Sequence, residues 1–368
     1  MTFTFVVSTI TALVSLVMFL ALVDQWSRRR HAFQAIWALG MLFYALGAGA
    51  EALAALAGWN DPLYRTWYLT GAMWTAAWLG LGSAFLLGRT RFGYAFALCL
   101  FLAGLLTIAT FAKFPAIYGE VASQAILYFI VAGVLAVAVA VETYFQNERW
   151  PVLAGVAVVG ATILSFILMV TASLPAPGWK VDPTTGAPVS DLFPPVLRLL
   201  TPFMNVTGGF ALILGALFSA YVFMPKRRVL AYSLDPTQPG EQFLFNLLIS
   251  PVAITVNFLA SLPGAIRALL SGRIHSRVPA TILIAIGGFV PTFTDSLNRF
   301  GVIDFFSLGL LIGAVFIFAG FLVSIEIFRD LRIPFTDVVL RAARTERVPG
   351  PETAGPPPGA EADHPAQA

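Results

Sequence analysis

Apolar residues fall along this chain in runs of about 20, separated by short polar or basic joints. A run of that length crosses the hydrocarbon of a bilayer as a helix, because no water is present there to satisfy an open backbone. Such runs lie near 3–24, 32–57, 67–88, 94–112, 124–145, 151–174 and 197–224. Two more follow near 279–300 and 304–327. The first run lacks a basic n-region, exceeds a signal-peptide core in length and is followed by Arg28, Arg29 and Arg30, so it is expected to stay as a stop-transfer helix.

The stretch 243–271 is apolar enough to span but is interrupted by Pro251 and Pro263. Charge decides between the readings. If it lies along the cytoplasmic interface, the N-terminus is outside and only Arg65, Lys113, Lys180, Arg198 and Arg299 of the 22 Lys and Arg residues fall on the outer side. If it spans, everything after it inverts and the two sides become nearly even. The positive-inside rule favours the interfacial reading; a re-entrant hairpin with both ends inside gives the same count.

Composition agrees. Hydrophobic residues make up 58%, charged residues 11%, and mean hydropathy is +0.83, all far from the soluble average. The expected fold is therefore all-α: a polytopic membrane helix bundle of about nine transmembrane helices, seven plus two. Residues 1–224 form a seven-helix bundle, 225–278 a cytoplasmic interfacial or re-entrant segment, and 279–347 a two-helix hairpin with a cytoplasmic helix end. Residues 348–368, rich in Pro, Gly and Ala, read as a disordered tail. The outer connection 175–196 carries Trp179 and Phe193, which suit either the headgroup level or a fold over the bundle.

Candidate chemistry is sparse. His31, His275 and His364 all fall outside the predicted hydrocarbon, so no imidazole pair is placed to hold a membrane haem. Lys113, Lys180 and Lys226 lie in loops or at span ends, which excludes a mid-membrane Schiff base. Ser/His proteolysis within the membrane lacks its histidine. The single Cys99 has no partner for an intramolecular disulfide. There is no phosphate-cradling glycine loop and no zinc-ligand spacing. No catalytic residue, metal or cofactor is expected.

Three polar sets remain. Glu51, among alanines and leucines in "GAGAEALAALAGWNDPLYRTWY", precedes the tight turn "GWNDP" by about as much as Arg65 follows it. At 1.5 Å per residue both lie roughly 10 Å below that turn, and an ion pair between them is expected, since an unpaired carboxylate at that depth is costly. Such a pair either clamps the hairpin or marks a ligand or proton site. Asp295 and Arg299 stand four apart after Pro291 and are expected to pair locally on a helix. Asn205 sits with Pro202, Thr207, Gly208 and Gly209 in a combination that favours a kink. Gly309 and Gly313 form a GxxxG, which permits close helix approach within the bundle or in a dimer.

The run "AIWALGMLFYALGAGAEALAAL", followed by "YRTWYLTGAMWTAAWLGLGSAFLLGRTR", resembles the second and third helices of the seven-helix N-terminal sensor modules of some bacterial membrane histidine kinases. Glu51, Arg65, Trp67, Tyr68, Arg89 and Arg91 carry the resemblance, which covers residues 1–224 at most. It implies a ligand-sensing type of bundle. Beyond residue 224 there is no phosphoacceptor motif or ATP-binding lobe. The expected function is a non-enzymatic sensor-like or accessory membrane subunit that binds a small ligand, lipid or partner; a secondary transporter using broken helices and a membrane scaffold are the alternatives. Expected partners are the bilayer, its anionic lipids at the basic rim, and a protein partner or second copy, with no nucleic acid. The excess of Arg over Lys and abundant Ala suggest a GC-rich bacterium, hence its cytoplasmic membrane, with the C-terminus inside.

Overall fold

The computed structural model describes residues 2–145, 148–183, 186–299, 306–324, 331–336 and 338–341, without the side chains of 295–299, 331, 332, 340 and 341. Ten helices in it are long and apolar enough to cross a membrane. They are α1 (Phe3–Arg29), α2 (Ala32–Ala57), α3 (Asp61–Leu86), α4 (Phe92–Lys113), α5 (Ala122–Tyr144), α6 (Trp150–Thr171), α7 (Pro195–Phe223), α8 (Gly240–Leu270), α9 (Arg277–Arg299) and α10 (Phe306–Val323). A short antiparallel ladder, β1 (Leu331–Arg332) with β2 (Val339–Arg341), follows.

Local chemistry sets the ends. The Thr2 hydroxyl caps α1 by accepting from the Phe5 N–H at 3.3 Å, and α1 stops at Arg30 in the left-handed region, φ 58°, whose N–H returns to the Trp26 carbonyl. Gly58, at φ 86°, ends α2. Asn60 caps α3 through the Leu63 N–H at 3.0 Å, with Pro62 in the first turn where its missing N–H costs nothing. Within α3, Trp67–Trp74 widens into a π-helical turn, and the Thr75 hydroxyl bonds the Thr70 carbonyl at 2.7 Å.

Two apolar cores organise the bundle. The larger is built from α3 to α7, with Met73, Phe92, Phe96, Trp150 and Leu197 fully buried. The second joins α1 and α2 to α9 and α10 around Met18, Leu22, Trp37, Met41 and Phe321, with Leu79 of α3 and Leu212 of α7 as the bridge. The bridge needs small residues. A Cβ on Gly80 would lie 2.3 Å from the Gly208 carbonyl oxygen, and one on Gly208 would lie 2.2 Å from that of Ala76, so α3 and α7 cross backbone to backbone. The GxxxG of α10 is also spent internally, since Cβ atoms there would strike Thr294 and Pro291 of α9.

Helix α8 lies across one end of the bundle. Gly209 of α7 faces Thr292 of α9, Gly288 faces Leu212 and Ile213, and Tyr221 and Met224 cluster with Val278, so α7 and α9 run antiparallel. The end of α7 and the start of α9 therefore share one side, and the helix between them has not crossed. Its contacts agree along its length. Phe243 packs on Tyr94 and Tyr144 at the ends of α4 and α5 (ring centroids 6.1 and 5.1 Å apart). Asn257 accepts from the Val229 and Leu230 N–H groups at 2.7 and 2.9 Å and donates to the Leu230 carbonyl at 2.8 Å. Ser261 accepts from the Arg227 N–H at 2.8 Å. At 31 residues, about 46 Å of helix stays at the end that carries Lys226, Arg227, Arg228 and Arg273, here called the basic end. The helix absorbs Pro251 because the Ser250 hydroxyl takes over the Leu247 carbonyl, at 2.9 Å, that the proline cannot reach. Its outward face is apolar, from Leu244 to Leu270, the latter 83% exposed. Among the ten described long apolar helices, nine are thus placed to cross and α8 stays at one end; of the two arrangements that the charge count left open, the interfacial one matches this packing.

The connection between α6 and α7 folds over the opposite end. Phe193 is buried between Tyr64 and Tyr68, with centroid distances of 4.6 and 4.3 Å, and the Tyr64 hydroxyl donates to the Val189 carbonyl. Lys180 pairs with Asp191. Burial raises the Asp191 carboxyl, but the Lys180 hydrogen bond, a backbone N–H and the charges of Lys180 and Arg198 outweigh it, so the group titrates below the usual carboxylate range.

Candidate functional site: a buried carboxylate among three helices

Glu51 does not pair with Arg65. Successive residues of α2 at spacings of three and four, Gln34, Trp37, Met41, Tyr44, Ala48 and Glu51, share one buried face, and that face meets α1 and α10. Arg65 points the other way. It holds Asp61, one turn earlier, at 2.8 Å, and donates to the Met169 carbonyl and to the Ala172 carbonyl at 2.9 Å. Those are free carbonyls at the C-terminus of α6, the negative end of its dipole, where a guanidinium is favourable. The sequence argument placed Glu51 and Arg65 by depth along the α2–α3 hairpin, but depth does not give azimuth, and the two side chains have different partners.

Glu51 is 5% exposed. One oxygen accepts from the Ser307 hydroxyl at the start of α10, 256 residues away. The Ser8 hydroxyl of α1 lies beside the same carboxylate, close enough to interact with it, though neither it nor the second Glu51 oxygen completes a hydrogen bond of normal geometry with a described residue. Two turns deeper, the Tyr44 hydroxyl donates to the Leu310 carbonyl at 2.7 Å, and the Ser15 hydroxyl of α1 is buried with no hydrogen-bond partner among the described residues. The neighbouring α1 and α2 and the distant α10 thus bring the Glu51 carboxylate together with the Ser8 and Ser307 hydroxyls, with no cation paired to Glu51 among the described residues. In hydrocarbon such groups cost several kcal/mol unless something satisfies them.

The other sequence candidates stand apart. The side chains of Asp295 and Arg299 lie outside the described residues; the α9 backbone carrying them is helical to Arg299. Asn205 is half-buried on α7, one turn from Gly209, and makes no side-chain hydrogen bond to a described residue. Helix α7 runs unbroken through Pro202, whose missing N–H frees only the Arg198 carbonyl one turn earlier. The nearby Thr207 hydroxyl is unpartnered at a void of about 10 Å³ lined by apolar side chains, at most one water in size. Among the described residues no three His, Cys, Asp or Glu side chains gather as a metal site.

Sequence reasoning missed two polar anchors. Asp24, buried near the basic end of α1, holds Arg28 at 3.1 Å and accepts the Phe335 N–H at 3.1 Å, tying the segment after α10 to α1. The Asp–Arg spacing of four was its available signal. Asn257, an amide in an apolar stretch of α8, was the signal for its anchor. A cavity of about 330 Å³ at the basic end, between the ends of α2, α3, α7 and α9, had no signal in the sequence.

Fold and contacts define an all-α, multi-pass integral membrane protein. The chain matches no protein-family model, and no curated protein or solved structure is similar to it.

Proposed function

We propose that this protein is a sensor-like or accessory membrane subunit, without catalytic chemistry of its own, that takes a small cationic or hydrogen-bond-donating ligand at Glu51. The observation that carries the reading is the buried Glu51 carboxylate, held by hydroxyls alone and with no cation among the described residues, at the junction of α1, α2 and α10. A ligand there would satisfy both groups and tie α10 to the α1–α2 hairpin, coupling occupancy to the segment that follows α10. The resemblance of residues 1–224 to kinase sensor modules points the same way. With the basic end in the cytoplasm by the positive-inside rule, Glu51 lies toward the outer face of a bacterial cytoplasmic membrane, and the inner surface is left for a protein partner. The unbroken α7 weakens the transporter reading, which relies on interrupted helices.

Thermal unfolding of the full chain in neutral nanodiscs, in sodium, potassium, ammonium or choline salts, tests this. The proposal expects at least one small cation to raise Tm over choline for wild type and not for Glu51→Gln. A constant offset between the two proteins in all four salts would mean that Glu51 only clamps helices.

A further inference from the structure

We infer that the outward face of α8 is the interface of a homodimer, in which two copies of this chain pair their α8 helices antiparallel along the basic end, independently of Glu51. The inward face of α8 carries Phe243, Ser250, Ala253, Asn257, Ser261 and Ala265, all buried. Directly opposite, Phe245, Leu248, Val252, Leu259, Ile266 and Leu269 are 49–80% exposed. With Thr255 and Leu262 between them, these positions follow one another at alternating spacings of three and four along about 36 Å of helix. That is the spacing of a helix–helix seam, and contact with lipid does not require it. A helix held at the interface by lipid alone also turns a charged face to water, whereas α8 has no charged residue from Gln242 to Ile266.

The membrane fixes how two such faces can meet. Copies inserted with the same sidedness are related by rotation about the membrane normal, and a two-fold about that axis sets a helix lying in the membrane plane antiparallel to its mate. The seam read backwards matches itself. With the two-fold at the level of Asn257, Phe245 falls opposite Leu269 of the second copy, Leu248 opposite Ile266, Val252 opposite Leu262, and Thr255 opposite Leu259. The same register puts Glu241 level with Arg273 of the second copy, with Arg267 of that copy within two helical turns. Glu241 and Arg273 are both exposed, and neither forms a salt bridge within its own chain among the described residues. Each helix N-terminus also meets a C-terminus, a favourable arrangement of the two dipoles. A fully buried Leu, Ile, Val or Phe removes roughly 60–120 Å² at 25 cal/mol per Å². The exposed seam residues of two copies together therefore bury on the order of 1,000 Å², the lower bound for a specific interface, so the dimer is reversible.

The test uses the full chain with Cys99→Ser, reconstituted from detergent into phosphatidylcholine vesicles at falling protein-to-lipid ratios. Leu248→Cys and Ile266→Cys proteins, mixed before reconstitution and oxidised with copper phenanthroline, should form a disulfide-linked dimer. Leu248→Cys alone should not, since its two copies lie about 27 Å apart along the antiparallel pair. A lipid-facing Val137→Cys on α5, 64% exposed, gives the collisional background. Adding Arg273→Glu to both cysteine proteins should shift the dilution for half-maximal cross-linking about tenfold, because both symmetric pairs turn repulsive. Adding Glu241→Arg as well should restore it. Cross-linking of Leu248→Cys to itself as readily as to Ile266→Cys, or a charge swap that restores nothing, would overturn the inference. So would a mixture no higher than the Val137→Cys background, which would leave lipid as the cover of this face.

Discussion

Arg65→Gln is expected to be among the costliest single changes at the outer end of the bundle, and the structure sets its size. The guanidinium makes two charge-assisted hydrogen bonds to C-terminal carbonyls of α6, and its Nε is shared between both Asp61 oxygens. A hydrogen bond to a charged group contributes about 1.5–3 kcal/mol, of which one is counted as lost because a glutamine amide can still donate to one carbonyl, and the helix terminus adds about 0.3–1 kcal/mol. The Asp61 pair, with side chains 19% and 41% exposed, adds only about 0.3–0.5 kcal/mol. Arg65→Gln should therefore cost about 2–4 kcal/mol and Asp61→Asn about 0.5 kcal/mol. Equilibrium unfolding in mixed detergent–SDS micelles reads both. Because Glu51 and Arg65 share no partner, their double mutant should be additive within about 0.5 kcal/mol, whereas Asp61→Asn should cost nothing further once Arg65 is gone. A coupling above about 1 kcal/mol between Glu51 and Arg65, or an Arg65→Gln cost no larger than that of Asp61→Asn, would refute this assignment of partners.

Gly208→Ala would push a methyl into the backbone of α3 at Ala76 and should cost at least about 1–3 kcal/mol by overpacking, while Gly160→Ala, with nothing within 4 Å, should be near neutral in the same melting assay. Asn257→Ala strands two N–H groups and a carbonyl of residues 229–230; at about 1–3 kcal/mol for an unsatisfied group, α8 should loosen, seen as faster proteolysis between 225 and 239 with little change at the opposite end. The depressed Asp191 carboxyl stabilises the folded α6–α7 connection at pH above its unfolded value of about 3.9, and that contribution is lost as pH falls through the lower folded value. Hydrogen exchange over 175–194 should accelerate on acidification in wild type, and Asp191→Asn should already be fast at neutral pH.

How much of this was legible in the sequence varies with what each feature depends on. The crossings follow from lengths of apolar chain, and the arginines put both ends of α8 on one side without separating an interfacial helix from a re-entrant one, because both are one-dimensional consequences of the bilayer. The partners of Glu51 do not follow. A carboxylate level with a guanidinium across a tight turn looked like a pair, but the rotation of α2 directs Glu51 to Ser307, which adjoins it only because α10 returns to α1. Arg65 instead answers free carbonyls on α6, which no residue type announces. Likewise the GxxxG of α10 left packing and dimerisation open, and its close fit to Thr294 and Pro291 assigns it to the α9–α10 hairpin. The basic-end cavity arises from four helix ends that fail to meet, a property of packing alone.

The account rests on α8 lying across the basic end with nine helices crossing, since this places the basic-end cavity, the basic segments and both ends of α8 on one side. Replacing the single Cys99, which is buried, by serine gives a background for single cysteines at Thr237 and Arg273, flanking α8, and at Gly186 in the α6–α7 connection. In right-side-out and inverted vesicles, a membrane-impermeant maleimide should label positions 237 and 273 from the cytoplasmic side and 186 from the other. Labelling of 237 and 273 from opposite sides would contradict the threading and the sites built on it.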